Sequence, residues 1–182
     1  MRRGWPGLAA LAWAPLLAAS GLPAQDPDSV IYLTKNTNRN QVHYGVHVDA
    51  QCRPLARKPV YAYWRMLEEG DDARATLMFW EQPGYGVKQP RDISREDDSG
   101  SFEFTIRGVP ERRLRLETFA VDGACRARAY TRIAEQDALF QRIDIRVSGW
   151  ANVHRVEIFG VGLENGLPVS EITHLDAAES GE

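Results

Sequence analysis

Apolar and polar residues alternate with a period of two along much of this chain. That pattern constrains it to strands with one face buried and one face wet. In "SFEFTIRG", Phe102, Phe104 and Ile106 fall on one face, with Glu103, Thr105 and Arg107 on the other. "QVHYGVHVD" places Val42, Tyr44, Val46 and Val48 together, and "RIDIRVSG" does the same for Ile143, Ile145 and Val147. "RRLRLETFAV", "ACRARAYTRI" and "NVHRVEIFGVG" alternate likewise. "VIYLTK", "PVYAYWRML" and "ATLMFWE" add β-branched and aromatic runs that suit a half-buried sheet. Glu164-Asn165-Gly166 is a hairpin signal ahead of a last short strand over Val169–Thr173. Only "AEQDALF" has the composition for a helical turn. About nine strands separated by turn residues predict a single antiparallel all-β domain. A sandwich-like architecture is favoured and a barrel is the alternative.

The first residues read differently. Arg2 and Arg3 precede the apolar run Leu8 to Ala19, and small residues follow, which is the pattern of a cleaved export signal. The run is shorter than the roughly 20 residues a membrane span needs. Cleavage is expected after Ala24, with Ser20 as the second choice. The expected organisation is a signal peptide over 1–24, a β-sandwich-like domain over 25–176 and a frayed acidic tail over 177–182. Loss of the two arginines takes the formal charge from −3 to −5. That balance excludes nonspecific nucleic-acid binding, which rests on neutralising phosphates. No second apolar run is long enough to span a membrane, so the processed chain is expected to be secreted or periplasmic. Cys52 and Cys125 are an even pair in an oxidising compartment, and a disulfide between them is expected.

Two stretches carry a resemblance. Asn38, Arg39, Asn40, Val42 and Tyr44 come first; Pro59, Val60, Tyr63 and Trp64 follow, and then Tyr85 and Gly86. In this order the segments resemble an uncharacterised family of secreted bacterial domains of unknown function. The resemblance implies a β-rich exported domain and brings no activity, cofactor or catalytic residue with it.

The residues themselves suggest several places for chemistry. "NTNRN" reads as a polar turn in which Arg39 ties the backbone down. Alternatively, Asn38, Arg39 and Asn40 could present amides and a guanidinium to an anionic or sugar-like ligand. Tyr63 and Tyr85 could supply aromatic faces beside them, and Glu81 a carboxylate. His43 and His47 lie about 13 Å apart on an extended strand, too far to share a metal, and read as polar residues on a half-solvated face. Asp97, Asp98 and Ser99 read as a solvated turn rather than a calcium loop. Arg113 with Arg115, Arg126 with Arg128 and Arg132, and Arg142 with Arg146 each occupy an outward strand face, interleaved with Glu103, Glu117 and Asp144. If neighbouring, they build an arginine-striped surface for an acidic partner, glycan or headgroup.

No HExxH, GxSxG, phosphate-cradling glycine loop or CxxC occurs. No catalytic residue, metal ligand or cofactor is therefore assigned. The favoured expectation is a non-enzymatic envelope domain binding a protein, glycan or small ligand through Asn38, Arg39, Asn40, Tyr63, Glu81 and Tyr85. The competing one is a hydrolase or lyase with an acid–base pair drawn from Glu81, Asp49, His43 or His47.

Overall fold

A computed structural model describes residues 22–68, 73–89, 101–148 and 152–174. Residues 1–21 of the expected signal peptide, the Asp97–Ser99 turn and the acidic tail lie outside the described residues. The described residues form eleven strands: β1 Ile31–Lys35, β2 Asn38–Val46, β3 Val60–Met66, β4 Ala73–Thr76, β5 Val87–Lys88, β6 Ser101–Ile106, β7 Leu114–Val121, β8 Ala124–Ile133, β9 Gln136–Ser148, β10 Asn152–Gly162 and β11 Pro168–His174. One helical turn, α1 Gln82–Tyr85, precedes β5.

The architecture is organised by β9. Its first half pairs with β8 as far as Phe140, and its second half pairs with β1 from Arg142 onward, on the same edge. β10 runs along the other edge and carries β11. Two wings diverge from β9, one ordered β1-β2-β3-β4 and the other β8-β7-β6-β5. All ladders are antiparallel except β1 with β9. The inward faces of both wings share one core, with Ile31, Leu33, Val42 and Tyr44 from one side and Phe102, Phe104, Leu114 and Leu116 from the other.

The expected all-β, sandwich-like domain is present, with eleven strands rather than nine. The sheet is open, so the barrel alternative fails. Where the wings meet, no strand ladder closes the gap among the described residues. Instead the Gln89 side chain accepts the Val60 N–H at 3.0 Å and donates to the Val60 carbonyl at 2.7 Å, taking the place of a missing rung.

Cys52, in the β2–β3 loop, is bonded to Cys125 on β8, with Cα atoms 5.2 Å apart. The bridge ties one wing to the other.

Two expectations about local structure are corrected. "AEQDALF" is not helical: Ala134 and Glu135 both have positive φ and form a tight turn into β9. Ala138, Leu139 and Phe140 are then all buried, which hides the strand's alternation. "ATLMFWE" is a strand only as far as Thr76, because Leu77 dives into the core and Met78 to Trp80 turn outward.

Candidate functional site

Where β8 leaves β9 and β1 takes its place, the outer face of the sheet opens into a cleft. The chain ahead of β1 crosses it: Gln25 forms a two-way backbone bridge with Ala127 on β8, and the Val30 N–H donates to the Tyr44 carbonyl on β2. A groove of about 430 Å³ results, lined by Gln25, Ser29, Tyr32, Gln41, His43, Arg65, Gln141 and Arg142, with Val30 at its floor. Three of these come from outward positions of β1 and β2, where alternation puts Tyr32, Gln41 and His43 opposite the core residues Leu33, Val42 and Tyr44. Gln141 arrives by another route. In the β9–β10 ladder Phe159 faces Arg142 and Gly160 faces Phe140, so Gln141 is the extra residue of a bulge. Bulges re-aim side chains next to sites, and this one sits where β9 changes neighbours.

The groove is held open by a clamp. Asp28 accepts the Tyr61 hydroxyl at 2.8 Å and the Arg74 guanidinium at 3.2 Å, and its backbone carbonyl accepts the Tyr63 hydroxyl at 3.0 Å. The Tyr61 bond, with Arg74 beside it, holds the Asp28 carboxyl below its ordinary range. Burial pushes the Tyr63 phenol up. Gly45 permits the arrangement, since a Cβ there would lie 2.5 Å from Tyr61 Cζ and 2.9 Å from the Asp28 carbonyl oxygen.

Inside the clamp, His43 is only 3% exposed. Its Nδ1 lies 2.6 Å from Ser29 Oγ and its Nε2 lies 2.9 Å from Gln41 Oε1. With the Gln41 oxygen accepting, the ring proton sits on Nε2 and Nδ1 accepts the Ser29 hydroxyl. Tyr32 stacks on the ring at 5.5 Å, and Tyr63 lies 5.7 Å away on the other side. Arg142 sits 3.8 Å above the Phe159 ring and reaches Asp144 at 3.3 Å, which fixes its orientation at the groove's edge.

The six residues singled out from sequence divide between two places. Tyr63 flanks this groove. Glu81 and Tyr85 gather elsewhere, around Trp64 and Lys35, and Asn38 faces Lys35 in the β1–β2 ladder. There Glu81 accepts the Trp64 indole N–H at 2.9 Å, and Tyr85 meets Trp64 edge-on at 5.6 Å. Lys35 Nζ lies 4.6 Å from the Trp64 ring centre and 5.5 Å from that of Tyr85. Burial lowers the Lys35 pKa, and the Glu81 charge opposes the shift. Asn40 accepts the Glu68 N–H at 3.1 Å, while Asn38 Oδ1 is buried without a partner among the described residues.

Arg39 is exposed, and it is its backbone N–H, at 3.2 Å from Glu68 Oε1, that is bonded. The anchoring expected of its guanidinium belongs to Asn36, whose amide both donates to and accepts from Val147 on β9, at 3.3 and 2.8 Å. His43 is buried and hydrogen-bonded to Ser29 and Gln41 rather than half-solvated. His47 is exposed and stacks on Tyr61 at 4.2 Å. Asp49 organises its own loop through Gln51 and Arg53. The acid–base set Glu81, Asp49, His43 and His47 therefore does not converge.

The arginine-striped face exists on β7 and β8, but two of its arginines are held by neighbours on the same face. Arg115 pairs with Glu117 at 3.2 Å and lies over Tyr130, while Arg128 opposes Glu117 across the ladder and lies over Phe119. Arg142 belongs to the other outer face. Sequence reasoning missed Ser29, Gln141 and Arg65; the bulge and the strand switch that bring them together leave no local signature.

A family model described as a domain of unknown function (DUF4833) matches residues 31–172. No curated protein and no solved structure matches the chain.

Proposed function

The chain belongs to the DUF4833 family of domains of unknown function, and from that footing we propose that it is an exported, non-enzymatic domain that binds a small anionic, hydroxyl-rich ligand. One observation carries this reading: two guanidiniums, three glutamine amides and a tyrosine ring converge on the groove at the β8/β1 switch. Arginine forks match carboxylates and phosphates in two-point contacts. Amides provide paired donors and acceptors for sugar hydroxyls, and Tyr32 offers an aromatic face. The export half of the proposal rests on the amino-terminal pattern of Arg2, Arg3 and the Leu8–Ala19 run. The cross-wing disulfide suits an oxidising compartment.

Calorimetric titration with hexuronates and hexose phosphates tests the binding half. Arg65→Ala and Arg142→Ala should each weaken the best binder about tenfold or more, the magnitude of one lost charge-assisted bond. Unchanged affinity in both variants would remove the groove as the site.

A second reading has one observation in its favour, the chain of hydrogen bonds from Ser29 through His43 to Gln41. A hydroxyl donating to an imidazole whose other nitrogen is oriented by a third group is the arrangement that activates serine. In that reading Ser29 Oγ attacks an ester carbonyl and its proton passes to His43 Nδ1. The proton then goes to the departing alcohol, and water releases the acyl group. Labelling by a fluorophosphonate that Ser29→Ala abolishes would establish it; no labelling under saturating probe would leave the non-enzymatic reading alone.

A further inference from the structure

Between β4 and α1 the chain presents three consecutive large apolar side chains to solvent. Met78 is 55% exposed, Phe79 81% and Trp80 63%. Scattered exposed apolar residues are ordinary, but a contiguous set containing tryptophan and phenylalanine is a feature to be explained.

The turn is built to hold these residues outward. Leu77 anchors it in the core, Glu81 Oε2 accepts the Met78 N–H at 2.8 Å as well as the Trp64 indole, and the Glu81 N–H donates to the Met78 carbonyl at 3.0 Å. Phe79 and Trp80 brace each other edge-to-face at 4.8 Å. An apolar display fixed in advance loses little entropy on binding. Its acid, Glu81, faces inward, and two exposed cations lie beyond α1. Lys88 follows α1 on β5, and Arg107, whose backbone N–H donates to the Gly86 carbonyl, ends β6 alongside it.

We infer that the Met78–Phe79–Trp80 turn inserts into the headgroup boundary of an anionic lipid bilayer, with Lys88 and Arg107 against the phosphates. Three projecting side chains make a knob far smaller than the roughly 800 Å² per partner of a stable protein interface. The same knob suits a bilayer boundary, where tryptophan and phenylalanine partition and cations add attraction to anionic lipid. The turn lies apart from the groove of the proposed function, so either can fail without the other. Glu81 thereby gains a role as the positioning residue of the turn.

The test uses the full chain with vesicles of phosphatidylglycerol or phosphatidylcholine carrying brominated acyl chains, and reads tryptophan quenching. Phosphatidylglycerol vesicles should quench emission, and Trp80→Phe should remove that Trp80-dependent part while leaving the chain bound. Phe79→Ser/Trp80→Ser should lower the partition by about tenfold or more. Its melting temperature checks that the fold is intact. Phosphatidylcholine should bind several-fold more weakly. No Trp80-dependent quenching at saturating phosphatidylglycerol would overturn the inference. So would a wild-type dimer in lipid-free solution that Phe79→Ser/Trp80→Ser converts to monomer, because the turn would then be covered by a second copy.

Discussion

The outer faces of the two wings are built from the same alternating pattern and reach opposite results. On and beside β7 and β8, arginines are spent locally: Arg115 with Glu117 and Tyr130, Arg128 with Phe119, and Arg113 with Glu103 at 3.9 Å. On β1 and β2 the outward residues Tyr32, Gln41 and His43 are roofed by the segment carrying Gln25, Asp28 and Ser29, and a groove forms. Charge content does not separate the two faces; a crossing segment and a change of strand neighbour do. A row of cations held by neighbouring carboxylates and rings is a solvated surface, whereas fewer polar groups converging under a roof make a site.

The largest way to break this comparison is to cut the link between the wings. Cys125→Ser opens a loop spanning 73 residues of separation, and should lower stability by about 4 kcal/mol on the chain-entropy account. Denaturant unfolding measures the loss. An effect below about 1 kcal/mol would mean that the ladders through β9 hold the wings without help.

Gly45→Ala attacks the roof alone. Its Cβ would collide with the Tyr61 ring and the Asp28 carbonyl, so about 1–3 kcal/mol should be lost. The segment carrying Asp28 should lift at the same time. Faster hydrogen exchange at Val30 and Val46, whose N–H groups are bonded across that segment, would report the lifting. Acid should act at the same place: the Asp28 pKa is lowered in the fold, so its contribution is present above the unfolded carboxylate range. It is lost as pH falls through the folded value. With the side chain half exposed, the effect is a loosening seen by exchange below about pH 4 rather than unfolding.

On the other face the same kind of change should do little. Arg115→Ala and Arg113→Ala should each shift stability by less than about 0.5 kcal/mol, since exposed pairs contribute little. Larger losses would show that the arginine face is structural rather than merely solvated. Smallest of all, Glu135→Gly at the positive-φ turn should stabilise by about 0.5 kcal/mol, because glycine adopts that backbone without strain. A decrease would mean that the Arg132–Glu135 pair at 3.2 Å outweighs the backbone term.

The strands from β6 to β8, and β10, were legible because one of their faces is wet and the period of two survives. The disulfide followed from two cysteines and the expected export. Three features were hidden for physical reasons. Ala134 and Glu135 take positive φ without glycine or asparagine to announce it, and the buried run Ala138–Phe140 erases the alternation behind them. Met78–Trp80 has strand propensity, but it is drawn into a turn by Glu81, which accepts a backbone N–H and the Trp64 indole together. The groove itself depends on distant pairings: His43 is buried by Ser29, fourteen residues before it, and Gln141 points inward because of a bulge opposite β10. Of the six candidate site residues, only Tyr63 borders the groove. In the asparagine turn it is Asn36, rather than Arg39, that bonds the neighbouring backbone, through Val147.

The central claim is that the roofed face, and not the arginine face, receives the ligand. Amide chemical-shift mapping during titration with the best hexuronate or hexose phosphate tests it most directly. The account predicts shifts at Ser29, Tyr32, Gln41, His43 and Gln141, with β7 and β8 still. Shifts confined to Arg115, Glu117, Arg128 and Tyr130 would contradict it and move recognition to the opposite wing.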